Sequence, residues 1–451
     1  MAKKQISAPK VIADPIYGVF DIRPVLSMIE TEAFQALGDK RQLGMSYLTF
    51  PSATHTRRAH SLGSYHATRV LADRWVEFGL INDREADALA AYALYHDIGH
   101  PAFSHVTEDL CVVPFNKEYA DMSANTVLSL EIIKKLRGAI EACGVDAGLV
   151  EQFAAHKNPL HLAVSDRNLG MEKLDYLERD GLYTILSRPP GTEYLRRHIY
   201  FINGALAIDG KVVDNAIEIQ NFYMKMYKNV YLRKASAIAQ RMFQKNVYHL
   251  IAAGELRPED LPRITDSELL GIAYFSKDPV AQELYGCLRR RELFREAIVV
   301  RPEEFLHAES HARKPIAVLG ADAETMAELL WNPSLDQKNQ AGLEELEVKI
   351  ADIAGVPANA VLVVPIFNSY RFVAEDINIY NEGGHLESLK ARYPAHFKNM
   401  EEVAQSYLAL RICTLEKYRK NLSSPKVAKE VFDLIANRQI AKKNAPNVGA
   451  R

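Results

Sequence analysis

Cysteine is scarce in this sequence. The chain of 451 residues contains four cysteines, and no two of them form a CxxC pair. Four cysteines in a chain of this length form neither the framework of a small disulfide-rich domain nor the paired ligands of a structural zinc module. We therefore expect the protein to work in a reducing compartment, with the cytoplasm as the default location.

The sequence also lacks a long hydrophobic segment and an excess of charge. No window of about 18 apolar residues occurs, and the basic N-terminal stretch has no apolar core, so we expect neither a membrane span nor a secretory leader. The 55 basic and 57 acidic residues nearly cancel, so the overall charge does not favour nucleic acid or an anionic membrane as partner. Any binding of phosphate groups must therefore depend on local clusters.

The length of the chain and its apolar periodicity predict two domains. A single hydrophobic core seldom serves more than about 250–300 residues. Apolar residues recur at three- and four-residue spacing through much of the first 300 residues. They predict helices over 32–43, 61–78, 83–95, 123–142, 172–187 and 215–252. We expect a mainly α domain over residues 1–300 and a smaller α+β domain over residues 301–451.

Two parts of the sequence interrupt the helical pattern. In "FINGALAIDGKVVDN" alternating apolar residues flank Asp209-Gly210, a dipeptide that favours a tight type I′ turn, so we expect a small β-hairpin there. Beyond residue 301, "LEELEVKIADIAGV" predicts a helix. "AVLVVPI" and "SYRFVAEDINIY" predict strands, and the remainder predicts more helix to the end of the chain.

Histidines cluster in one part of the chain, where six of the fourteen lie between positions 55 and 105. His96 and Asp97 are adjacent in "ALYHDIGHPAFSH", at a point where Gly99 and Pro101 predict the end of a helix. Imidazole and carboxylate are common ligands of divalent first-row metals. A helix end allows two neighbouring side chains to reach one ion, although within a helix they point about 100° apart.

A complete metal site needs further ligands. His60 begins the predicted helix 61–78 and is the first candidate. A later carboxylate is the second, and in "MEKLDYLERD" helical spacing places Glu172, Tyr176 and Arg179 on one face, with Lys173 and Asp180 beside it. This face combines an anion suited to a metal with cations and a hydroxyl suited to phosphate.

The motifs "RRAHSLG", "LYHDIGHPAFSH" and "KLDYLERD", with "DPIYGVF" before them and "RRELF" after them, resemble those of the HD-domain phosphohydrolases. Their order, spacing and flanks are similar to the deoxynucleoside triphosphate triphosphohydrolase branch, which includes the sterile-alpha-motif HD-domain enzyme. The resemblance spans roughly residues 14–296. It implies a helical HD-domain bundle that hydrolyses deoxynucleoside triphosphates to deoxynucleoside and triphosphate.

The resemblance also implies roles for individual residues. The metal ligands of the family fall on His60, His96, Asp97 and Glu172. Its substrate contacts fall on Arg57, Lys173, Tyr176, Asp180 and Lys228. His100, Asp97 and Arg57 are the expected catalytic residues. The expected cofactor is one divalent ion from among Mg²⁺, Mn²⁺, Fe²⁺, Co²⁺, Ni²⁺ and Zn²⁺. The expected partners are the deoxynucleoside triphosphate substrate, an activating nucleotide and further copies of the chain in a dimer or tetramer.

Two positions depart from the family pattern. Glu172 stands where the family has aspartate, which displaces the carboxylate by about one methylene group. Tyr119 and Ala120 stand where relatives carry a His-Glu pair that supplies a proton-transfer histidine. General acid–base help is worth about 10²–10⁴ in rate. Two alternatives stay open: an HD-class phosphodiesterase, nuclease or nucleotide phosphatase, and, because of Tyr119 and Ala120, a nucleotide-binding HD protein with weak or no turnover.

Overall fold

The computed structural model describes residues 9–114, 117–308, 315–366, 374–381 and 384–436. Over these ranges helices predominate and three small sheets accompany them. The prediction of a mainly α fold is therefore confirmed. No helix in the described part of the chain combines the length and apolar character that a membrane span requires.

The α-helices range from one turn to more than five turns. Those of eight residues or more are Arg57–Glu77, Asp83–Tyr95, Ala124–Lys135, Ala147–Ala154, Met171–Thr184, Val213–Met226, Lys234–Ala252, Asp266–Phe275, Pro279–Arg289, Ala323–Leu330, Gln340–Ala354, Pro394–Tyr407 and Pro425–Ile435. The shorter ones are Leu26–Ile29, Glu32–Ala36, His105–Glu108, Arg137–Glu141, Leu162–Ser165, Thr192–Arg196, Leu389–Arg392 and Arg419–Leu422. A π-helical turn, Tyr227–Tyr231, follows Val213–Met226 directly.

The sheets are small and partly formed by strands distant in sequence. Val11–Asp14 and Gly18–Asp21 form an antiparallel pair. One four-stranded sheet has the order Ile199–Ile202, Ala205–Asp209, Asn378–Tyr380, Leu386–Ser388. The other has the order Ala317–Ala321, Arg295–Pro302, Ala409–Thr414, Val361–Ile366, with only the first two strands parallel.

Most predicted helices are present, with shifted or broken ends. Asp83–Tyr95 has the predicted bounds, and the predicted helix 61–78 begins four residues earlier, at Arg57, where Thr56 caps it. The helix predicted over 123–142 is interrupted at Leu136, whose backbone leaves the helical region. The one predicted over 215–252 is divided by the π-helical turn. Apolar periodicity therefore located these helices but not their breaks.

The predicted β-hairpin is present, but the prediction of its turn was wrong. Ile199–Ile202 pairs antiparallel with Ala205–Asp209, so the turn is Asn203-Gly204, and both residues have positive φ. Asp209 instead ends the second strand, and its side chain caps the 3₁₀ turn Gly210–Val212 by accepting from the backbone N–H of Lys211. Asparagine and glycine both tolerate the left-handed conformation that a type I′ turn needs.

In the C-terminal part the predicted helix and one strand are found, as Gln340–Ala354 and Val361–Ile366. Of "SYRFVAEDINIY", only Asn378–Tyr380 is a strand within the described residues, and 369–373 lie outside them. The prediction of helix alone to the end of the chain was wrong. Ala409–Thr414 is a fully buried strand between two neighbours, where each of its six side chains is covered.

The chain forms two compact units that are interleaved along the sequence. One comprises Met1–Tyr231, Ile251–Phe275 and Ala374–Lys398, and the other comprises Leu232–Leu250, Ser276–Val373 and Asn399–Arg451. The histidine-rich segment belongs wholly to the first unit. The second unit has an apolar core around the sheet that contains Val361–Ile366 and Ala409–Thr414. The boundary between domains at residue 300 stays a prediction.

Candidate metal centre

Two packed helices carry the histidines of the candidate centre. His60 lies in the first turn of Arg57–Glu77, whose start is fixed by Thr56 accepting from the backbone N–H of Ala59. His96 follows directly after Asp83–Tyr95, a helix that begins with a reciprocal capping box between Asn82 and Glu85. The helix thus ends at the point where its last side chains turn toward His60.

The three side chains His60, His96 and Asp97 converge in a buried position. Nε2 of His60 lies 3.2 Å from Nε2 of His96 and 3.7 Å from Oδ2 of Asp97. Nε2 of His96 lies 3.5 Å from Oδ1 of Asp97. One ligand atom from each residue lies within 4.8 Å of the others. This spacing is compatible with ligands that share one ion.

The donor chemistry of the two histidines also fits a metal. Nδ1 of His60 lies 2.7 Å from Oδ2 of Asp175, and Nδ1 of His96 lies 2.7 Å from the carbonyl oxygen of Ala93. Both acceptors require a proton on Nδ1, so in the neutral rings both Nε2 atoms carry lone pairs. Two lone pairs facing each other at 3.2 Å repel unless a proton or a cation lies between them. Partners of this kind are usual for histidines that bind metals.

Glu172 reaches the edge of this group. Its Oε2 lies 3.3 Å from Nε2 of His96, but it does not belong to the close group of His60, His96 and Asp97. It lies in the first turn of Met171–Thr184 and is partly exposed. Desolvation raises the pKa of Glu172, and the negative charge of Asp97 adds to this effect. Glu172, the fourth ligand predicted from the sequence, is therefore adjacent to His96 but lies outside the close group of the other three.

Arg57 is directed at Asp97. Its Nη1 forms a buried ion pair with Oδ2 of Asp97, and its Nε donates to Oγ of Ser104 over 2.9 Å. Burial by itself would raise the pKa of Asp97, but Arg57, with His96 and His100, outweighs it and holds that pKa well below its usual range. Asp97 is therefore ionised and able to ligate a cation. The predicted phosphate contact by Arg57 stays a prediction.

His100 is buried beside Asp97, with Nε2 3.2 Å from Oδ1. Burial, reinforced by Arg57, lowers the pKa of His100 to about 4. The ring is therefore neutral near pH 7, with its proton on Nε2, where it donates to Asp97. Nδ1 of His100 is buried and has no hydrogen-bond partner among the described residues.

Lys173 and Tyr176 follow Glu172 on the same helix. Nζ of Lys173 donates to the carbonyl oxygen of Arg167 and lies 3.4 Å from the ring centroid of Tyr223. Burial lowers the pKa of Lys173 to about 7. The ring of Tyr176 lies 6.3 Å from that of His60 and 6.5 Å from that of Tyr231. An aromatic surface therefore adjoins His60, and a buried amine lies on the same helix.

Asp180 is buried, and both of its oxygens are engaged. Oδ1 lies 2.8 Å from Nε2 of His55, and Oδ2 accepts from the hydroxyl of Tyr231 over 2.7 Å. Lys228 lies in the π-helical turn Tyr227–Tyr231 and is exposed. π-helical turns are frequent at functional sites, and this one contributes a tyrosine to the surroundings of Asp180.

Sequence reasoning missed several supporting residues. Asp175 lies three positions after Glu172, and helical spacing could have placed it on the face of the ligand. It binds His60 and also pairs with Arg179. His55 also supports this group, because its Nε2 lies 2.8 Å from Oδ1 of Asp180. Asn125, whose Nδ2 donates to Oδ1 of Asp97 over 3.1 Å, gave no sequence signal.

The segment that departs from the family pattern lies near the helix Ala124–Lys135. Tyr119 belongs to the 3₁₀ turn Lys117–Tyr119 and is half-buried, with its ring 5.7 Å from Nζ of Lys134. No imidazole occupies positions 119 or 120, so any proton transfer at this centre must use other groups.

Comparison with known proteins links these motifs to one family. The family model described as "HD domain" matches residues 57–180, and the one described as "HD associated region" matches residues 192–330. The protein YwfO of Bacillus subtilis is 32% identical over 194 residues, which cover 41% of this chain and 42% of YwfO. The deoxynucleoside triphosphate triphosphohydrolase SAMHD1 homolog of Dictyostelium discoideum is 26% identical over 343 residues. That match covers 69% of this chain and 65% of the relative.

A solved structure has the same fold. The crystal structure of a phosphohydrolase from Bacteroides thetaiotaomicron aligns with a TM-score of 0.66 at 21% identity, over 90% of this chain and all of that one. The two sequence relatives described above are matched over less than two thirds of their own lengths.

Proposed function

This chain belongs to the HD-domain phosphohydrolase superfamily, and we propose that it hydrolyses deoxynucleoside triphosphates to the deoxynucleoside and inorganic triphosphate. The proposal depends on one observation. The Nε2 atoms of His60 and His96 both carry lone pairs and lie beside the ionised carboxylate of Asp97. Similarity to a relative named as a deoxynucleoside triphosphate triphosphohydrolase supports the choice of substrate.

The mechanism begins with the residues that hold the ligands in place. His60, His96 and Asp97 would bind a divalent ion from the set Mg²⁺, Mn²⁺, Fe²⁺, Co²⁺, Ni²⁺ and Zn²⁺, with Glu172 as the fourth ligand. When bound, such an ion supplies Lewis acidity toward a phosphoryl oxygen and lowers the pKa of water. Asp175 and the carbonyl of Ala93 keep the proton of each histidine on Nδ1, so that both Nε2 atoms stay available.

We propose that the remaining predicted residues bind the phosphorylated substrate. Lys173 and Arg57 would balance negative charge on the phosphates, and Lys228 would add a further cation from the π-helical turn. Tyr176 offers a ring face for the sugar, and Asp180 would orient it together with Tyr231, which binds its carboxylate. His100 donates to Asp97 and, near the reacting phosphate, holds a proton on Nε2.

A substrate panel tests the proposal. The protein is incubated with each deoxynucleoside and ribonucleoside triphosphate, singly and mixed, with Mg²⁺, Mn²⁺ or Co²⁺. Triphosphate is then separated from diphosphate and monophosphate. We expect metal-dependent release of triphosphate that is lost in His96→Ala. Absence of triphosphate in every mixture would contradict the proposal.

Nucleotide-binding measurements and two further substrates distinguish the two alternatives. Tyr119 and Ala120 at the positions of the His-Glu pair favour a protein that binds nucleotide with little turnover, and binding without any product would support it. Cleavage of a single-stranded oligonucleotide or of a phosphodiester model substrate would support an HD-class phosphodiesterase or nuclease. Release of orthophosphate from a nucleotide would support a phosphatase.

We also propose that an activating nucleotide binds outside the metal centre. A cavity of about 150 Å³ is lined by Arg74, Arg196 and Arg197, with Tyr17 and His66 among its aromatic residues. Arg196 and Arg197 pair with Glu193, and Arg196 also pairs with the buried carboxylate of Glu178. Arg74 and Arg197 would attract the phosphates of a nucleotide. Activity measured with single and mixed nucleotides, in the protein and in Arg74→Gln, tests this function. Equal activation of both would contradict it.

The expected assembly and location complete the proposal. We propose that the protein forms a dimer or tetramer and works in the cytoplasm, with no membrane partner. Light scattering coupled to size-exclusion chromatography, with and without nucleotide, measures the mass of the assembly directly. A monomeric mass under both conditions would contradict the oligomer.

A further inference from the structure

The loop 166–170 leads into Met171–Thr184, the helix that carries Lys173. Lys173 is 5% exposed, and its Nζ donates back to the carbonyl oxygen of Arg167 in this loop. The ring centroid of Tyr223 lies 3.4 Å from the same Nζ. The position of the amine therefore depends on where the loop holds the carbonyl group of Arg167.

Local hydrogen bonds orient the peptide group between Arg167 and Asn168. Oδ1 of Asp166 accepts from the backbone N–H of Asn168 over 2.8 Å and from that of Leu169 over 2.7 Å. The last position of the loop is a glycine, and a Cβ added at Gly170 would lie 2.6 Å from the carbonyl oxygen of Asp166. These contacts set the shape of the loop, but contacts with other elements must set its position.

The segment that contains Glu375 and Asp376, from the C-terminal half of the chain, holds the loop from outside. Nδ2 of Asn168 donates to the carbonyl oxygens of both residues, over 2.9 and 3.1 Å. Asn168 is buried. The segment is fixed in turn, because its strand Asn378–Tyr380 pairs in parallel with Ala205–Asp209. The side chain of Asn168 therefore ties the loop to a sheet of the same unit.

Gln220 joins the same contact from the helix that carries Tyr223. Its Nε2 donates to the carbonyl oxygen of Glu375 over 3.2 Å and to Oδ1 of Asn168 over 3.4 Å. Its Oε1 accepts from Nε2 of His396 over 2.9 Å. Gln220 is buried, and buried polar groups whose partners are all present make a structure rigid. The loop, the segment and the helix are therefore joined by one buried network.

We propose that Asn168, supported by Gln220, positions Lys173 through the carbonyl group of Arg167. The inference rests on the proposed function, which assigns a phosphate of the substrate to Lys173. The ammonium group has three N–H donors on a flexible stem. One donor can stay on Arg167 while the others face a phosphate, so the amine is in place before the substrate arrives. Asn168 and Gln220 are positioning residues, because they act through Lys173.

Amine labelling tests the position of Lys173 without any assay of activity. The folded full chain is treated briefly with an acylating reagent, and the modified lysines are quantified by mass spectrometry. We expect Asn168→Ala and Gln220→Ala each to raise the labelling of Lys173 several-fold, because the loop that holds its acceptor opens more often. Lys40, which is buried elsewhere in the same unit, should stay as protected as in the unmodified protein.

A matched variant and a second lysine make the labelling specific. Asn359→Ala removes an exposed hydrogen bond to Glu283 and should leave the labelling of Lys173 unchanged. Circular dichroism checks that each variant is folded, and Gln220→Ala decides the question if Asn168→Ala does not fold. Unchanged labelling of Lys173 in the folded variants would overturn the inference. An equal rise at Lys40 would also overturn it, since it would indicate general loosening of the fold.

A titration with inorganic triphosphate in the presence of Mg²⁺ separates this inference from the proposed function. We expect Lys173→Met to bind about tenfold more weakly, the effect of losing one charge-assisted hydrogen bond. Asn168→Ala should weaken binding in the unmodified background but not further in Lys173→Met. A further loss in the double variant would overturn the action through Lys173. Unchanged affinity in Lys173→Met would contradict the phosphate contact of the proposed function, while the labelling would still decide what positions the amine.

Discussion

At the scale of single residues, the candidate centre depends on groups that never touch an ion. Asp175 is fully buried and is shared between His60 and Arg179. Burial alone would raise the pKa of Asp175, but Arg179 and His60 together lower it. An ionised carboxylate therefore holds the imidazole of His60 in one tautomer and one orientation.

We predict that Asp175→Asn weakens metal binding by about 10–100-fold, the range typical for losing the partner of a metal-binding histidine. The amide would bind His60 less strongly and would no longer select its proton position. Calorimetric titration with Co²⁺ or Mn²⁺ measures the change. Asp73→Asn, which alters an exposed carboxylate paired with Arg69 on the helix of His60, should leave the affinity unchanged. Equal affinities for all three proteins would refute the role of Asp175.

The pairing of Asp175 with Arg179 also requires a glycine at position 63. A Cβ added there would collide with the carboxylate of Asp175 and the guanidinium of Arg179. We expect Gly63→Ala to destabilise the protein by about 1–3 kcal/mol, as overpacking of a buried contact does, and to reduce metal content. Thermal unfolding and metal analysis measure both effects. Gly138→Ala, at a helical position with nothing within 4 Å of the added carbon, should be neutral or slightly stabilising.

At the scale of elements, the turn after the His-Asp pair is strained and held in place from a distant helix. Phe103 and Ser104 both have positive φ, a conformation that costs free energy in residues other than glycine. Asp266, at the start of Asp266–Phe275, accepts from the backbone N–H of Phe103 over 2.6 Å and from that of Arg41 over 2.9 Å. This buried carboxylate therefore joins three parts of the first unit.

Asp266 gives a pH dependence with a defined sign. Burial raises the pKa of Asp266 to about 6. The folded state therefore binds this proton more tightly than the unfolded state. The resulting stabilisation is complete below about pH 4 and is lost as the pH rises through about 6. A shift from 3.8 to about 6 corresponds to roughly 3 kcal/mol.

Asp266→Asn should remove this dependence. We expect the difference in unfolding free energy between the unmodified protein and the variant to move in favour of the unmodified protein as the pH falls from 7 to 4. Urea unfolding at pH 7, 6, 5 and 4 measures it. Asp260→Asn provides the control, since Asp260 pairs with Arg257 near the surface. A difference that is constant with pH would show that Asp266 titrates normally.

At the scale of the whole molecule, the second unit has its own buried polar group. Glu347 is fully buried and pairs with Arg241 over 3.1 Å and with Lys245 over 2.5 Å, and both cations are buried as well. Its Oε1 also accepts from the backbone N–H of Val363 in the sheet. One carboxylate therefore stabilises two buried cations and one strand.

We predict that Glu347→Gln destabilises the protein by about 3–5 kcal/mol, the cost typical of breaking a buried ion pair on one side only. Chemical unfolding followed by circular dichroism measures the loss. Glu345→Gln removes a surface pair with Lys349 on the same helix and should leave stability almost unchanged, because exposed ion pairs contribute little. A similar small effect for both variants would contradict the importance of Glu347.

The sequence by itself determined the helices and the candidates for the centre. Apolar periodicity gives Asp83–Tyr95 its bounds because a 3.6-residue period and a capping box are local properties. The adjacency of His96 and Asp97 at a helix end is equally local. Local sequence patterns could therefore indicate both the mainly α fold and a candidate site for a metal ion.

Only the tertiary structure decided which groups surround those candidates. Asp175, His55 and Asn125 act through contacts between segments that lie 28 to 125 positions apart, and no local pattern encodes such distances. The buried strand Ala409–Thr414 exists because two neighbouring strands pair with it, although its own six residues fit either a helix or a strand. The bare Nδ1 of His100 likewise follows from packing, since burial excludes water from one ring nitrogen while Asp97 binds the other.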